Sequence, residues 1–247
     1  MDTNLWKIES LRLTNFVGSD FDSKNLEKWL YDICGVPPIQ INKNMSSFLG
    51  LSKLETSMLK LEWQQNRLNI FESTDAPNIE NNIGNFSKYN EYYENHILKY
   101  FELEGCPVLD RLALGIILYI PLLNNETGIQ TMEPLLKTVK GIENAEDFQF
   151  RINWPTKTEI AGGIKVNRLL TWTIGTVQLF QINIQNGIAQ NLPIATPPEL
   201  QLRLEIDLST DQNVGNKISL EQQKEIIHYF SDIVKKVAQY GEYGLFN

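Results

Sequence analysis

The stretch Leu200-Gln201-Leu202-Arg203-Leu204-Glu205-Ile206-Asp207-Leu208 alternates apolar and polar residues without a break. Successive strand side chains point to opposite faces. Leu200, Leu202, Leu204, Ile206 and Leu208 therefore form a buried face, and Gln201, Arg203, Glu205 and Asp207 a wet one. A strand of this kind belongs to an antiparallel sheet covered on one side. Its cover is legible just downstream. Ser219 and Gln222 form a capping box, Leu220, Ile227, Phe230, Val234 and Val237 make a stripe broadened by Ile226 and Ile233, and Gly241 supplies a stop. The opposite side of this helix is polar, so the stripe is expected to pack on the buried face of the Leu200–Leu208 strand.

Working outward, the most hydrophobic strand runs from Leu112 to Ile120. Leu112, Leu114, Ile116, Leu118 and Ile120 occupy one side and Ala113, Gly115, Ile117 and Tyr119 the other, which predicts a central strand covered on both faces. Before it, Ser87 is the expected cap of a helix reaching about Glu104, with Tyr89, Tyr92, Tyr93, Ile97, Tyr100 and Phe101 as an aromatic stripe. A hairpin is predicted where Leu59, Leu61 and Trp63 alternate with Lys60 and Glu62, turn at Gln64-Gln65-Asn66, and resume with Leu68 and Ile70. The opening strand, Trp6 to Val17, precedes a short helix with Leu26, Trp29, Leu30 and Ile33 on one face, Phe21 as a staple on Leu26, and Gly35 as its stop. The polar run from Ser73 to Asn85 predicts a surface loop.

In the second half, a helix is expected from Thr131 to Lys140. Strands follow at Phe148–Trp154, Gly163–Ile174 and Thr176–Ile184, the last two separated at Gly175 or forming one long bulged strand. A Pro-rich connection, Pro193 to Pro198, leads into the Leu200–Leu208 strand. The fold class is α+β: mainly antiparallel sheet covered by about four helices, including the long C-terminal amphipathic one. The chain, residues 1–247, reads as a single domain or two intimately packed halves, about 1–125 and 126–247.

Composition narrows the function. The chain carries 22 basic and 30 acidic residues, a formal charge of −8, and its pI is near 4.9. Nucleic-acid affinity rests on clustered cations, so binding of duplex DNA by the chain alone is not expected. The start of the chain has no leader pattern, and no apolar run reaches the roughly 20 residues of a membrane span, which implies a cytoplasmic protein. Cys34 and Cys106 are too few for a disulfide framework and read as reduced, small buried hydrophobes. Abundant Asn, Ile and Lys, whose codons are rich in A and T, suggest an AT-rich bacterial genome.

No phosphate loop, dinucleotide fingerprint, nucleophile elbow or metal-ligand spacing occurs, and neither a metal nor a cofactor is implied. His228 shares a polar helix face with Lys224, Ser231 and Lys235 and reads as solvated. His96 lies one turn from Tyr92 and Tyr100, where an imidazole in a tyrosine cluster could line a ligand pocket. Arg203, Glu205 and Asp207 share one strand face and form the best charged constellation, able to hold a cationic ligand or do acid–base work.

One resemblance emerges from the middle of the chain. Leu59-Lys60-Leu61-Glu62-Trp63-Gln64-Gln65-Asn66-Arg67-Leu68-Asn69-Ile70, then a Tyr-rich helix, then Pro107-Val108-Leu109-Asp110-Arg111-Leu112-Ala113-Leu114-Gly115-Ile116-Ile117-Leu118-Tyr119-Ile120-Pro121, and finally Leu204-Glu205-Ile206-Asp207-Leu208 with a closing helix, occur in the order found in a sporadically distributed family of uncharacterised bacterial proteins of about this length. The likeness covers roughly residues 55–235. Ala113, Ile117 and Ile120 depart from that family's pattern, and it offers no catalytic residues to carry over. Its patchy distribution resembles that of genes for antiviral defence and toxin control.

The reading that follows is a non-enzymatic protein-interaction or regulatory subunit, with a partner protein or a second copy as its target, in a bacterial defence or toxin-control assembly. The competing readings are a small-ligand or nucleotide sensor with its pocket at Tyr92, His96 and Tyr100, and an enzyme using Arg203, Glu205 and Asp207.

Overall fold

The computed structural model describes the chain except residues 20, 75–81, 178–179, 186–187, 194–197, 212–216 and 247, and gives backbone alone for 180–185 and 188–193. The protein is α+β, with most of its secondary structure in one antiparallel sheet of 11 strands. In chain order the strands are β1 (Lys7–Val17), β2 (Gln40–Lys43), β3 (Ser47–Lys53), β4 (Ser57–Gln64), β5 (Arg67–Thr74), β6 (Gly84–Asn85), β7 (Leu109–Pro121), β8 (Gln149–Asn153), β9 (Thr156–Lys157), β10 (Lys165–Val177), β11 (Phe180–Gln185), β12 (Ile188–Pro193) and β13 (Glu199–Thr210). The helices are α1 (Leu26–Cys34), α2 (Tyr89–Tyr92), α3 (Asn125–Met132) and α4 (Leu220–Tyr240). Among the described helices, none is long and apolar enough to cross a membrane.

The spatial order is β2-β3-β4-β5-β1-β7-β13-β10-β8, with β6 on β1, β9 on β10, and β11-β12 as a separate ribbon. This order reads almost the same from either end. On one side of the β1–β7 junction, a strand leads through a helix to hairpin-connected strands and a second helix: β1, α1, β2 to β5, α2. On the other, β7, α3, β8, β10, β13 and α4 repeat the scheme with one strand fewer. The two topologically equivalent units meet where β1 pairs antiparallel with β7.

Every helix packs on the same face. α1 lies over β3 and β4, α3 over β10 and β13, and α4 comes closest to β7. Phe48, Leu61, Ile70, Leu13, Leu114, Ile116, Leu204, Ile206 and Trp172 point from seven strands into one continuous buried cluster with Leu30, Ile129 and Phe230. The C-terminal helix is core as its stripe predicts, its Ser219–Gln222 capping box is formed, and Gly241 ends it. Its nearest strand is β7 rather than the Leu200–Leu208 strand, because β7 occupies the middle of the sheet.

Local departures have physical reasons. Among the described residues, the helices cover one face of β7; on the other, Ala113, Gly115 and Ile117 are partly exposed, while Tyr119 is buried and bonded to Asn82. The aromatic helix begins with a 3-10 turn at Phe86, without a Ser87 cap, and after α2 widens into a π-helical segment, Tyr93–Leu98. α3 starts six residues before Thr131 because the Asn124 side chain accepts the Thr127 N–H, and Pro134 follows its end. Phe21 packs on Trp29 and Trp63, at the edge of the buried cluster that contains Leu26. β10 runs straight through Gly175. The Gln65–Asn66 turn is of the doubly left-handed type that suits a two-residue hairpin, with φ of 49° and 63°. The expected Ser73–Asn85 loop keeps strand at Thr74 and Gly84–Asn85, and its middle lies outside the described residues, as does most of the Pro193–Pro198 connection.

Candidate functional site

Two places gather chemistry, one on each face of the sheet. On the covered face, β5 places Glu72 in step with Leu68 and Ile70, so the acid points into the core and is 2% exposed. A buried carboxylate needs partners for both oxygens. The Ser57 hydroxyl donates to one at 2.6 Å and His96 Nδ1 to the other at 2.6 Å. The π-helical segment carries His96 to this position, and such segments recur at specialised sites. The connectivity is not that of a nucleophile and its base. Ser57 donates to the carboxylate rather than the imidazole, so His96 is not placed to take its proton. Tyr92 lies beside His96, ring centroids 6.3 Å apart, and its hydroxyl donates to the Ile83 carbonyl. Tyr100 is elsewhere: it is fully buried, edge-on to Trp29 at 6.1 Å. The structure thus joins Tyr92 and His96 but not Tyr100. His228 is tied as well, its Nδ1 meeting the Tyr93 hydroxyl at 3.0 Å.

Cys34 and Cys106 are free and partly buried. Burial pushes both thiols up to about 11, Cys34 with the Glu72 charge adding to the effect, which leaves neither a nucleophile near neutral pH.

On the open face, the three residues singled out in β13 are neighbours but do not converge. Arg203 reaches across Tyr119 to make a bidentate pair with Glu9, at 2.9 and 2.8 Å. Asp207 reaches across Gly115 to Arg12, at 3.7 Å. The Arg12 guanidinium lies over Gly115, 3.4 Å from where a Cβ would stand, an ordinary van der Waals contact. Glu205 lies between them, opposite Ile117 and Thr171.

Sequence reasoning missed the cluster next to these. Register aligns three rows across the sheet. The first is Lys60, Phe71, Arg12, Gly115 and Asp207; the second Glu62, Asn69, Thr14, Ala113 and Ser209; the third Gln64, Arg67, Phe16 and Arg111. In the third, Arg67 and Arg111 flank the Phe16 ring at 5.2 and 4.9 Å. In the first, Lys60 stands over Phe71 at 5.5 Å. Thr14 and Ala113 keep the centre of the middle row low, and the rows line a hollow of about 380 Å³. Arg12, Lys60, Arg67 and Arg111 line it against only two acids, Glu62 and Asp207, in a chain of net charge −8. A local field of opposite sign to the whole molecule is what recruits an anion. The signals were present in the sequence: Glu72 has the parity of the apolar face, and Arg67 and Phe71 the parity of the wet one. Which strands meet was not.

Among the described residues, no group of three or more His, Cys, Asp or Glu is placed to hold a metal ion. No protein-family model matches the chain, and no curated protein matches it.

Proposed function

We propose that the protein is a non-enzymatic interaction or regulatory subunit that recognises its target through the open face of its sheet. The observation that carries this reading is the asymmetry of the sheet. The described helices pack on one side, and the other side presents a cation–aromatic hollow on the strands of the sheet. Binding groups on sheet strands are held more exactly than groups on loops. The ionisable groups that do meet, Glu72 with His96 and Arg203 with Glu9, are spent on each other, which favours binding over turnover. A cytoplasmic setting is supported by two cysteines that form no disulfide, and a role in a bacterial defence or toxin-control assembly rests on the family resemblance.

The test is capture from the native host with wild-type protein, with an Arg12→Glu/Arg111→Glu variant of the open face, and with a Lys28→Glu variant of the helical side, all shown folded by circular dichroism. A component retained by wild type and Lys28→Glu but lost by the face variant is the expected result. Equal capture by all three, or turnover by the purified chain in a substrate panel, overturns the reading.

A further inference from the structure

The hollow on the open face has a donor inventory that specifies its ligand. Among the described residues, Arg67 and Arg111 have no carboxylate partner. Elsewhere on this face the pattern is different, with Arg203 on Glu9, Arg12 on Asp207 and Lys60 on Glu62. Arg67 is held by the Phe16 ring alone. Arg111 spends N–H groups on the Thr210 carbonyl and the Ser209 hydroxyl, which aims the guanidinium while leaving N–H directions over. Two residues from Arg67 on β5, in the middle row, Asn69 accepts the Thr14 hydroxyl on its Oδ1, so its Nδ2 remains free to donate to a ligand. Two guanidinium groups without a carboxylate, with an amide donor beside them, match a phosphate.

The rest of the hollow is not shaped for phosphate alone. Its floor is Thr14 and Ala113, small enough to leave room for a flat group. Its far wall is the Phe71 ring with Lys60 over it. Arg12 and Phe16 are four residues apart on β1, which separates the two walls by about 13 Å at the usual rise per strand residue. That span suits a phosphate joined through a sugar to a planar base, and a volume of about 380 Å³ falls within the usual range of small-ligand sites. The acids of the lining, Glu62 on β4 and Asp207 on β13, stand at opposite flanks of the hollow, paired with Lys60 and Arg12.

We propose that this hollow binds a nucleotide, with the phosphate at the end of the hollow formed by Arg67, Phe16 and Arg111, beside Asn69, and the base lying over Thr14 and Ala113 toward Phe71. The proposal rests on the reading of the open face as the recognition surface and names its ligand class. It also agrees with the acidity of the chain. One nucleotide needs one local cluster, whereas a duplex needs a track of cations along many phosphates. A free nucleotide and the phosphorylated end of a single strand offer the same chemistry.

The test is calorimetric titration of the full chain with the four nucleoside monophosphates, the matching nucleosides, inorganic phosphate, and a short single-stranded oligonucleotide with a terminal phosphate. Saturable binding of at least one monophosphate is expected, with its nucleoside and inorganic phosphate each about tenfold weaker or more. Arg67→Gln/Arg111→Gln should weaken that binding by about tenfold to a hundredfold, since two charge-assisted contacts are lost. Phe71→Leu should weaken the nucleotide and leave phosphate unchanged. Tighter binding of the oligonucleotide than of any monophosphate identifies a strand end as the source; the reverse identifies a free nucleotide. No saturable binding below about 1 mM, inorganic phosphate binding as tightly as the nucleotides, or binding indifferent to Arg67→Gln/Arg111→Gln overturns the proposal. A flat titration together with host capture that still depends on Arg12 and Arg111 would sink the nucleotide while leaving the recognition surface standing.

Discussion

Glu72 and Arg67 lie on the same strand, β5, and face opposite sides of the sheet. Glu72 points under the helices, where both carboxylate oxygens are taken, by Ser57 and by His96. Arg67 points to the open side and has an aromatic ring for company but no counter-charge among the described residues. The difference follows from solvent. A charge removed from water must be paired or it costs several kcal/mol, so a buried acid reaches its structure already satisfied. A cation at the surface is solvated, and can be left without a partner at little cost until a ligand arrives. Structural polar groups and recognition groups are therefore told apart by whether their bonding is complete.

Substitutions under the helices should cost stability, and substitutions on the open face should not. The largest effect is expected at Phe230, fully buried on α4: Phe230→Ala should lower unfolding free energy by about 3–5 kcal/mol in urea denaturation. A loss below about 1 kcal/mol would mean that α4 is a docked accessory and not core.

Next come the polar contacts of the same face. Glu72→Gln and His96→Ala should each cost about 1–3 kcal/mol, because each leaves a buried group without its partner. The double variant should cost clearly less than the sum, and additivity would show that the two groups do not act as a pair.

Smaller again is the open face. Arg203→Ala, despite its bidentate contact with half-buried Glu9, should cost under about 1 kcal/mol, as solvated ion pairs do. Arg67→Ala should be closer still to wild type. A loss at Arg67 equal to that at His96 would erase the contrast between the faces.

The thiols sharpen the same contrast without altering the fold. With both pushed up to about 11 by burial, the thiolate is scarce at pH 8 and becomes abundant only as the pH approaches that value. Labelling of native Cys34 and Cys106 by a thiol-specific disulfide reagent at pH 8 should be about a hundredfold slower than in urea, where the pKa returns to its ordinary value. Equal rates would show that neither thiol is sheltered.

The amino-acid sequence by itself determined the fold class and the faces of its best strands. Period-two alternation in Leu200–Leu208 and the capped stripe of Ser219–Tyr240 are local patterns, set by how side chains leave a strand or a helix, and both appear in the structure, except that Gln201 on the expected wet face is buried and bonded to Glu199. Gly35 and Gly241 end helices with positive φ, again a local property. The misreadings came where local signals were weak or in competition. β3 alternates poorly because Leu49 and Leu51 lie on the open face. Asn186-Gly187, a strong hairpin dipeptide, lies between β11 and β12, where a single strand to Ile184 was expected. The π-helical turn that brings His96 to Glu72 has no signature in residue spacing. Only the tertiary structure decided which strands are neighbours. The sequence separation between Arg12, Arg67, Arg111 and Asp207 is large, and the pairing of β5, β1, β7 and β13 is what sets them on one hollow. Pairing register is a long-range outcome, fixed by which buried faces fit together under the helices, and a hollow lined from five strands inherits that dependence.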